Sequence, residues 1–492
     1  MTTDINEIYK IAPRLNDEDK ALIQKAYDVA HKAHAGQMRK SGEPYFIHVF
    51  ATAKNLASFG MDAKTIAAGF LHDTLEDTDL PEEELIAEFG EEIVKLVNGV
   101  TKLGKVKYQG HARHVESLRK FFMAMADDLR ILIIKLADRL HNVQTLEHVR
   151  EDKRKRIALE TIEIHARLAD RIGMNSLKGN LEDAAFPYAY PKEYAELQKI
   201  LANVKSDNTK DLEMVTEELT KELINQKINI VEISRRSKYK YSLWNKLVKY
   251  NMDIEKIYDV VALRVIVNNI EDCYRTLGIV HSIWKPLPGR IKDYISTPKP
   301  NGYRSLHTTI FTGTGGVIEV QIRTPEMHAE AVYGIAAHFI YKETGGKNFT
   351  IKGSKDRKFE WLSQLQELHK TVDDPEKFLQ HLQMDLFQDR IFVFTPKGDV
   401  VDLPKGSTII DFAYAIHSDI GDHTQSALIN NKNASLGTVL SNRDIIEIIV
   451  NPNTNPSSKW LEYAKTSIAR KHINAHLKEN SLLSKFRSFA KF

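Results

Sequence analysis

The stretch Gly69-Phe70-Leu71-His72-Asp73-Thr74-Leu75-Glu76-Asp77-Thr78 sets four ionisable groups directly behind the apolar run Ile66 to Leu71. His72 and Asp73 are adjacent, so an imidazole and a carboxylate can reach one metal ion. Glu76 follows His72 by four residues and Asp73 by three, and Asp77 follows Asp73 by four; on a helix these spacings return to one face. Burying such a set is costly unless a cation or a substrate compensates. Two other segments offer similar ligands. His48 follows Arg39-Lys40-Ser41-Gly42-Glu43-Pro44-Tyr45, and Asp138 lies in Leu136-Ala137-Asp138-Arg139-Leu140-His141-Asn142, with Asn142 one turn later. Taken singly, His48 reads as a core or surface histidine and Asp138 as an ion-pair partner. Together, two His and two Asp form a mixed N/O set that suits Mn, Fe or Zn.

A second constellation lies further along. Tyr258-Asp259-Val260-Val261-Ala262-Leu263-Arg264-Val265-Ile266-Val267 reads as a strand opened by a carboxylate, rich in β-branched residues. Val317 to Arg323 alternates: Ile318, Val320 and Ile322 on one face, Glu319, Gln321 and Arg323 on the other. Arg235 to Lys246 is dense in cations, and Gly289 to Tyr294 and Lys299 to Thr308 add more. A solvated face would account for a short basic run alone. Two carboxylates on separate strands with clustered cations are the parts needed for Mg²⁺-assisted transfer from a nucleoside triphosphate.

The elements that must position these groups follow from pattern and punctuation. Asn16 caps a helix with the apolar face Leu22, Ile23, Ala26, Tyr27, Ala30 and Ala33, and Gly36 ends it. Asp62 caps a helix expected to run unbroken to Asp77. Pro81 and Glu82 to Glu84 open another, which Gly90 stops. Leu129 to Leu140 is too long and apolar for a typical strand and reads as a buried helix. No strand pattern occurs before about residue 190, where Pro187 and Pro191 punctuate the chain. Leu212, Val215, Leu219 and Leu223 mark an amphipathic helix, and strands alternate with helices from about 228. Thr324-Pro325-Glu326 caps a helix expected to reach about Lys342. A polar, Lys-rich connector follows, with a helix near Trp361 to His369. Next come a strand, the turn Pro396-Lys397-Gly398-Asp399, a second strand, a helix holding Asp411 to His417, a strand from Asp444 to Val450, and one basic helix after Trp460.

Composition narrows the class. The 492 residues suggest about three domains. A net charge of +3 is too small to argue for bulk nucleic-acid or membrane binding. The single cysteine, Cys273, excludes an intrachain disulfide framework and fits a reducing compartment. The N-terminus is polar without a signal-peptide core, and no apolar run could span a bilayer, so the expected location is cytoplasmic.

The words quoted above, with Val100-Thr101-Lys102-Leu103 and Lys299-Pro300-Asn301-Gly302-Tyr303-Arg304-Ser305-Leu306-His307-Thr308, resemble the bifunctional RelA/SpoT-type (p)ppGpp synthetase/hydrolases. The resemblance implies a multidomain chain: an all-α HD-type hydrolase domain (1–195), an α/β nucleotidyltransferase-like synthetase domain (196–345), a helical linker (346–383), a β-grasp TGS domain (384–452) and a helical end (453–492). It implies that His48, His72, Asp73 and Asp138 hold Mn²⁺, that Glu76 and Asp77 position and deprotonate water, and that Arg39, Lys40 and Asn142 face ppGpp or pppGpp. In the synthetase it implies that Asp259 and Glu319 hold Mg²⁺ and help activate the 3′-hydroxyl of GDP or GTP. Arg236, Lys238 and Lys246 would bind ATP phosphates, Tyr303 would stack on guanine, and Lys292, Asn301 and His307 would contact the acceptor. Arg290-x-Lys292-Asp293 resembles the basic loop of bifunctional members. The family's common Gly-Arg-Pro-Lys reads Arg235-Arg236-Ser237-Lys238 here, so synthesis with a perturbed KM is expected. The TGS region, with His417, implies the tRNA 3′ end, the ribosome or acyl carrier protein as partner, and no membrane. Two alternatives stay open: mainly a hydrolase with a weak or sensing synthetase half, or a tRNA- or ribosome-binding regulator.

Overall fold

A computed structural model describes residues 3–104, 125, 127–204, 208–257, 261–299, 301–313, 315–337 and 390–489. They fall into two units, one ending at 337 and the other covering 390–489. Asp259, the linker and the expected helix near Trp361 lie outside the described residues.

The first unit begins all-α. The capping box of Asn16 and Asp19 starts the helix Asp17–Ala33, and Gly36 follows its end with φ 78°. Helices Phe46–Ser58 and Leu129–Gln144 bury Val49, Phe50, Ile131, Leu132, Ile133 and Ile134. Gly90 (φ 80°) breaks the helix Glu82–Gly104 in two. The unbroken helix expected from Asp62 to Asp77 is not formed. Asp62 does cap it, accepting from Thr65 N at 2.6 Å, but the helix is Ala63–Leu71, and a separate turn, Thr74–Asp77, follows. His72 Nδ1 meets the Gly69 carbonyl at 2.8 Å and Thr74 Oγ1 donates to the Leu71 carbonyl at 2.7 Å, so side chains compete with the helix for its own acceptors. Pro187 does not break the chain either: it sits in the last turn of the helix Asn175–Ala189, and Pro191 opens the next, Pro191–Val204.

The sheet of this unit has strands β1 (Ile230–Ser237), β2 (Val261–Val267), β3 (Lys292–Asp293), β4 (Leu306–Phe311) and β5 (Val317–Arg323), in the order β1-β2-β5-β4-β3. β2 and β5 are parallel and the other pairs antiparallel. One face carries Leu263, Val265, Ile310, Ile318, Val320 and Ile322 and packs in a core with Leu212, Val215, Leu219 and Leu223 of the helix Asn208–Asn225. The expected alternation therefore holds on β5. Its polar side is nonetheless also covered, with Glu319, Gln321 and Arg323 all buried. The helix capped by Thr324 ends at Tyr333, short of Lys342. There Gly334 takes φ 55°, and a Cβ on it would lie 2.4 Å from the Ile172 carbonyl oxygen, so the chain turns where no side chain fits.

In the second unit β6 (Arg390–Phe394) and β7 (Val400–Pro404) form the expected hairpin. β8 (Thr424–Ile429), β9 (Lys432–Ala434) and β10 (Ile446–Val450) form a three-stranded sheet. The helix Ile409–Ile416 stops before His417, which is exposed and caps the next turn by accepting from Asp419 N at 3.2 Å. The single helix expected after Trp460 is two, Trp460–Tyr463 and Ser467–Phe489, because buried Asp411 ties Lys465 N and Thr466 N between them, each at 2.8 Å. No helix among the described residues is long and apolar enough to cross a membrane.

Candidate active sites

In the helical part, the break after Leu71 aims His72 and Asp73 at His48 and Asp138, which come from two other helices. His48 Nε2 lies 3.5 Å from Asp73 and 3.3 Å from Asp138, and His72 Nε2 lies 3.1 Å from Asp73. Ligand atoms of His48, His72 and Asp138 all fall within 4.8 Å of one another. His72 Nδ1 is spent on the Gly69 carbonyl, while Nε2 is buried and makes no aligned hydrogen bond among the described residues. Burial opposes a charge on His72, yet Asp73 and Asp138 raise it to about 9. Despite burial, His72 and His48 hold Asp73 well below the usual carboxylate range, and Lys135, His48 and His72 do the same for Asp138. These groups fit a divalent metal, which would take the place of the His72 proton and draw on two imidazoles and two carboxylates.

His141 lies inside a quoted word, but spacing gave no role for it. Its Nδ1 is 2.9 Å from His48 Nδ1 and 3.3 Å from Arg39 Nη1. A guanidinium only donates, so His141 Nδ1 accepts; His48 Nδ1 must then carry a proton, leaving His48 Nε2 free to ligate. Burial, His48 and Arg39 push His141 down to about 3, which keeps it a neutral acceptor. Beside this cluster opens a cavity of about 390 Å³, whose lining includes Arg39, exposed Lys40, Asn142 and Asp138 together with the apolar Leu146, Val149 and Ile157. Arg39 Nη2 donates to Asn142 Oδ1 at 2.8 Å. Glu76 is half-buried and Asp77 exposed, on the turn after Asp73. Tyr45, also missed, places its hydroxyl 2.8 Å from Asp73 and 2.9 Å from Asp77.

On the sheet, a chain of hydrogen bonds crosses the polar face. Tyr303 Oη lies 2.8 Å from His307 Nε2, His307 Nδ1 is 3.2 Å from Glu319, and Gln321 Nε2 donates to Glu319 at 2.7 Å. Arg236 Nη1 donates to Gln321 Oε1 at 3.0 Å. Register accounts for this: Ala262 pairs with both Arg236 and Glu319, and His307 pairs with both Lys292 and Gln321. Burial pushes Glu319 up, but His307, Gln321 and Lys292 bring it down to about 2. Lys299 Nζ sits 5.1 Å over the Tyr303 ring and 4.8 Å over Tyr294. Asn301 Oδ1 accepts from Tyr303 N at 3.2 Å and so shapes this turn. Lys238 follows β1, and Lys246 lies on the helix Lys240–Lys249; both are half-buried. Two cations that sequence reasoning passed over, Arg264 and Arg323, share the face with Arg236. Burial and these two neighbours lower Arg323 to about 10. The alternation on β5 was the signal for Arg323, and it went unused.

Residues 26–175 match the HD domain, residues 235–346 the region found in RelA/SpoT proteins, and residues 391–450 the TGS domain. Its middle region is thus similar to the region found in RelA/SpoT proteins, with the HD match before it and the TGS match after it in sequence. The chain is 47% identical over 93% of its length to a guanosine-3′,5′-bis(diphosphate) 3′-pyrophosphohydrolase of Aquifex aeolicus, of which it covers 64%. It is 44% identical over 94% of its length to a GTP pyrophosphokinase of Myxococcus xanthus, of which it covers 61%. The chain thus spans less than two thirds of these relatives. The solved small alarmone synthetase 1 of Bacillus subtilis, bound to its product pppGpp, matches 36% of this chain over 96% of its own, at 20% identity and a TM-score of 0.25.

Proposed function

We propose that the chain both degrades and makes guanosine 3′-pyrophosphates in the cytoplasm. The convergence of His48, His72, Asp73 and Asp138 beside the cavity carries the hydrolytic half. In this reading they hold Mn²⁺, which when bound lowers the pKa of water and offsets phosphoryl charge. Arg39, Lys40 and Asn142 bind the phosphates and ribose, and the apolar lining residues Leu146, Val149 and Ile157 take the base. Asp77 and Glu76 orient the attacking water and receive its proton. Pyrophosphate leaves and the 3′-hydroxyl is restored.

In the synthetic half, Arg236, Lys238 and Lys246 bind ATP with Mg²⁺, which neutralises charge on the transferred group when bound. Tyr303 stacks on guanine, and Lys292, Asn301 and His307 hold GDP or GTP. Glu319, ionised at neutral pH, suits orientation of the 3′-hydroxyl and metal ligation, with Asp259 as its partner carboxylate. The β,γ-pyrophosphate moves to the 3′-oxygen and AMP leaves. The exposed His417 is available to a partner of the TGS domain, for which the tRNA 3′ end is our reading. In this reading the chain divides into a hydrolase domain (1–195), a synthetase domain (196–345), a linker (346–383), a TGS domain (384–452) and a helical end (453–492).

A paired assay tests this on the purified chain with Mn²⁺ and Mg²⁺: ATP plus GDP in one reaction, ppGpp in the other. Turnover in both is expected. Turnover of ppGpp alone would remove the synthetic half and point to the Arg235 to Lys238 loop, and no release of pyrophosphate would remove the hydrolytic half.

A further inference from the structure

The Asp73 and Asp77 carboxylates face each other across one phenol. Tyr45 Oη is 2.8 Å from Asp73 Oδ2 and 2.9 Å from Asp77 Oδ2. A phenol has one proton, so it donates to one carboxylate at a time, yet it sits within bonding distance of both. In water two like charges would move apart; here they share a neutral clamp.

The clamp is itself held. The Tyr45 ring stacks on His34, with centroids 4.9 Å apart and planes at 22°. His34 is buried, and its Nδ1 lies 2.7 Å from Gln37 Oε1. Gln37 spends its other side-chain atom on the Asp77 carbonyl, donating from Nε2 at 2.6 Å, and its own carbonyl accepts from Tyr45 N at 2.9 Å. Gln37 Nε2 is thus a donor and its Oε1 an acceptor, so His34 Nδ1 carries the proton of that contact. One short segment, His34 to Tyr45, therefore fixes the hydroxyl and the backbone of Asp77 together.

We propose that Tyr45 is a positioning residue of the hydrolytic site: its hydroxyl ties the metal-side carboxylate Asp73 to the water-side carboxylate Asp77. This rests on the hydrolytic reading above. Asp73 meets the imidazoles through the same Oδ2 that Tyr45 contacts, so the phenol also limits how that oxygen can turn. Outer hydrogen bonds of this kind fix ligand orientation and are costly to remove.

Tyr45→Phe keeps the ring and its stack on His34 and removes only the hydroxyl. For release of pyrophosphate from ppGpp, kcat should fall about 10- to 100-fold with KM within about threefold, and Mn²⁺ titrated into the metal-free full chain should bind about tenfold more weakly. An unchanged thermal melt excludes a folding defect as the cause. Combined with Asp77→Asn, the losses should be less than multiplicative, because both act on one contact. Multiplicative losses, an unchanged kcat, or a rise in KM alone would overturn the proposal. A wild-type chain that releases no pyrophosphate overturns the hydrolytic reading instead. The Mn²⁺ titration then still decides for Tyr45: unchanged affinity in Tyr45→Phe rules the clamp out.

Discussion

The two candidate sites of the first unit are opposite in charge. In the helical pocket Asp73, Asp77 and Asp138 crowd the imidazoles of His48 and His72, and Lys135 pairs with Asp138 at 2.8 Å. Its His72 is raised to about 9, the mark of a pocket that seeks a cation. On the sheet, Arg236, Arg264, Arg323, Lys292 and Lys299 outnumber the carboxylates Glu319 and Glu232, the latter 3.3 Å from Arg264, and Arg323 and Lys299 are lowered by burial and like charges. That face seeks an anion. In the proposed function a metal completes the first site, whereas a polyphosphate substrate supplies the missing charge of the second. The comparison predicts that a carboxylate is the costliest loss in one site and that a cation is costly in the other.

Asp73→Ala breaks the first half most severely. Pyrophosphate release from ppGpp should fall on the order of 10³-fold or more, because a ligand and the Tyr45 contact go together. Synthesis from ATP and GDP should persist. Loss of both activities would mean that the sites are not separable in this way. Glu319→Gln is the mirror experiment: synthesis should fall about 10²- to 10³-fold with ppGpp hydrolysis retained, since the charge proposed to orient the 3′-hydroxyl and hold Mg²⁺ is removed. Arg323→Met sharpens the contrast further. Synthesis should show an apparent KM for ATP raised about tenfold, or roughly 1.4 kcal/mol. The substrate-free chain should be no less stable, because a buried cation beside Arg264 and Arg236 is relieved.

The two sites also differed in how far they could be read. The helical cluster was legible because His48, His72, Asp73 and Asp138 carry their chemistry in residue type and near-neighbour spacing. Even so, the unbroken helix assumed through Asp77 was wrong in detail. Side-chain capture of the Gly69 and Leu71 carbonyls is a local competition that periodicity does not report. Tyr45 and His141 act through contacts 28 and 93 residues apart in sequence, which no spacing rule reaches. On the sheet, period-two alternation gave β5 its bounds and its faces. It could not say that Ala262 would stand between Arg236 and Glu319, because register across three strands is a tertiary fact. Nor could it foresee that the polar face would be buried, which makes Gln321 a bridge from Glu319 to Arg236.

A further effect, on stability alone, concerns the helix Asn175–Ala189, which serves both parts of the unit: Asp183 accepts from Lys240 N and Tyr241 N at 3.0 Å, and Asn175 Nδ2 donates to the Ala331 carbonyl at 3.2 Å. On it, Glu182 is buried, and burial, aided by Asp170 and Asp183, raises it to about 7 against the pull of Lys178. The sign follows from linkage. Below the ordinary glutamate value of 4.5 both folded and unfolded chains hold the proton. As pH rises from there to about 7 the unfolded chain ionises first, so the folded state loses stability across that window and then levels off. Glu182→Gln removes the proton exchange. Its melting profile should match wild type near pH 4.5 and exceed it at pH 8 by roughly 1–3 kcal/mol. A variant that gains nothing at pH 8 would show that Glu182 is ionised in the folded chain. The Lys178 ammonium would then outweigh burial, and Glu182 would stand in the folded chain as a charged partner of Lys178 rather than as a neutral acid.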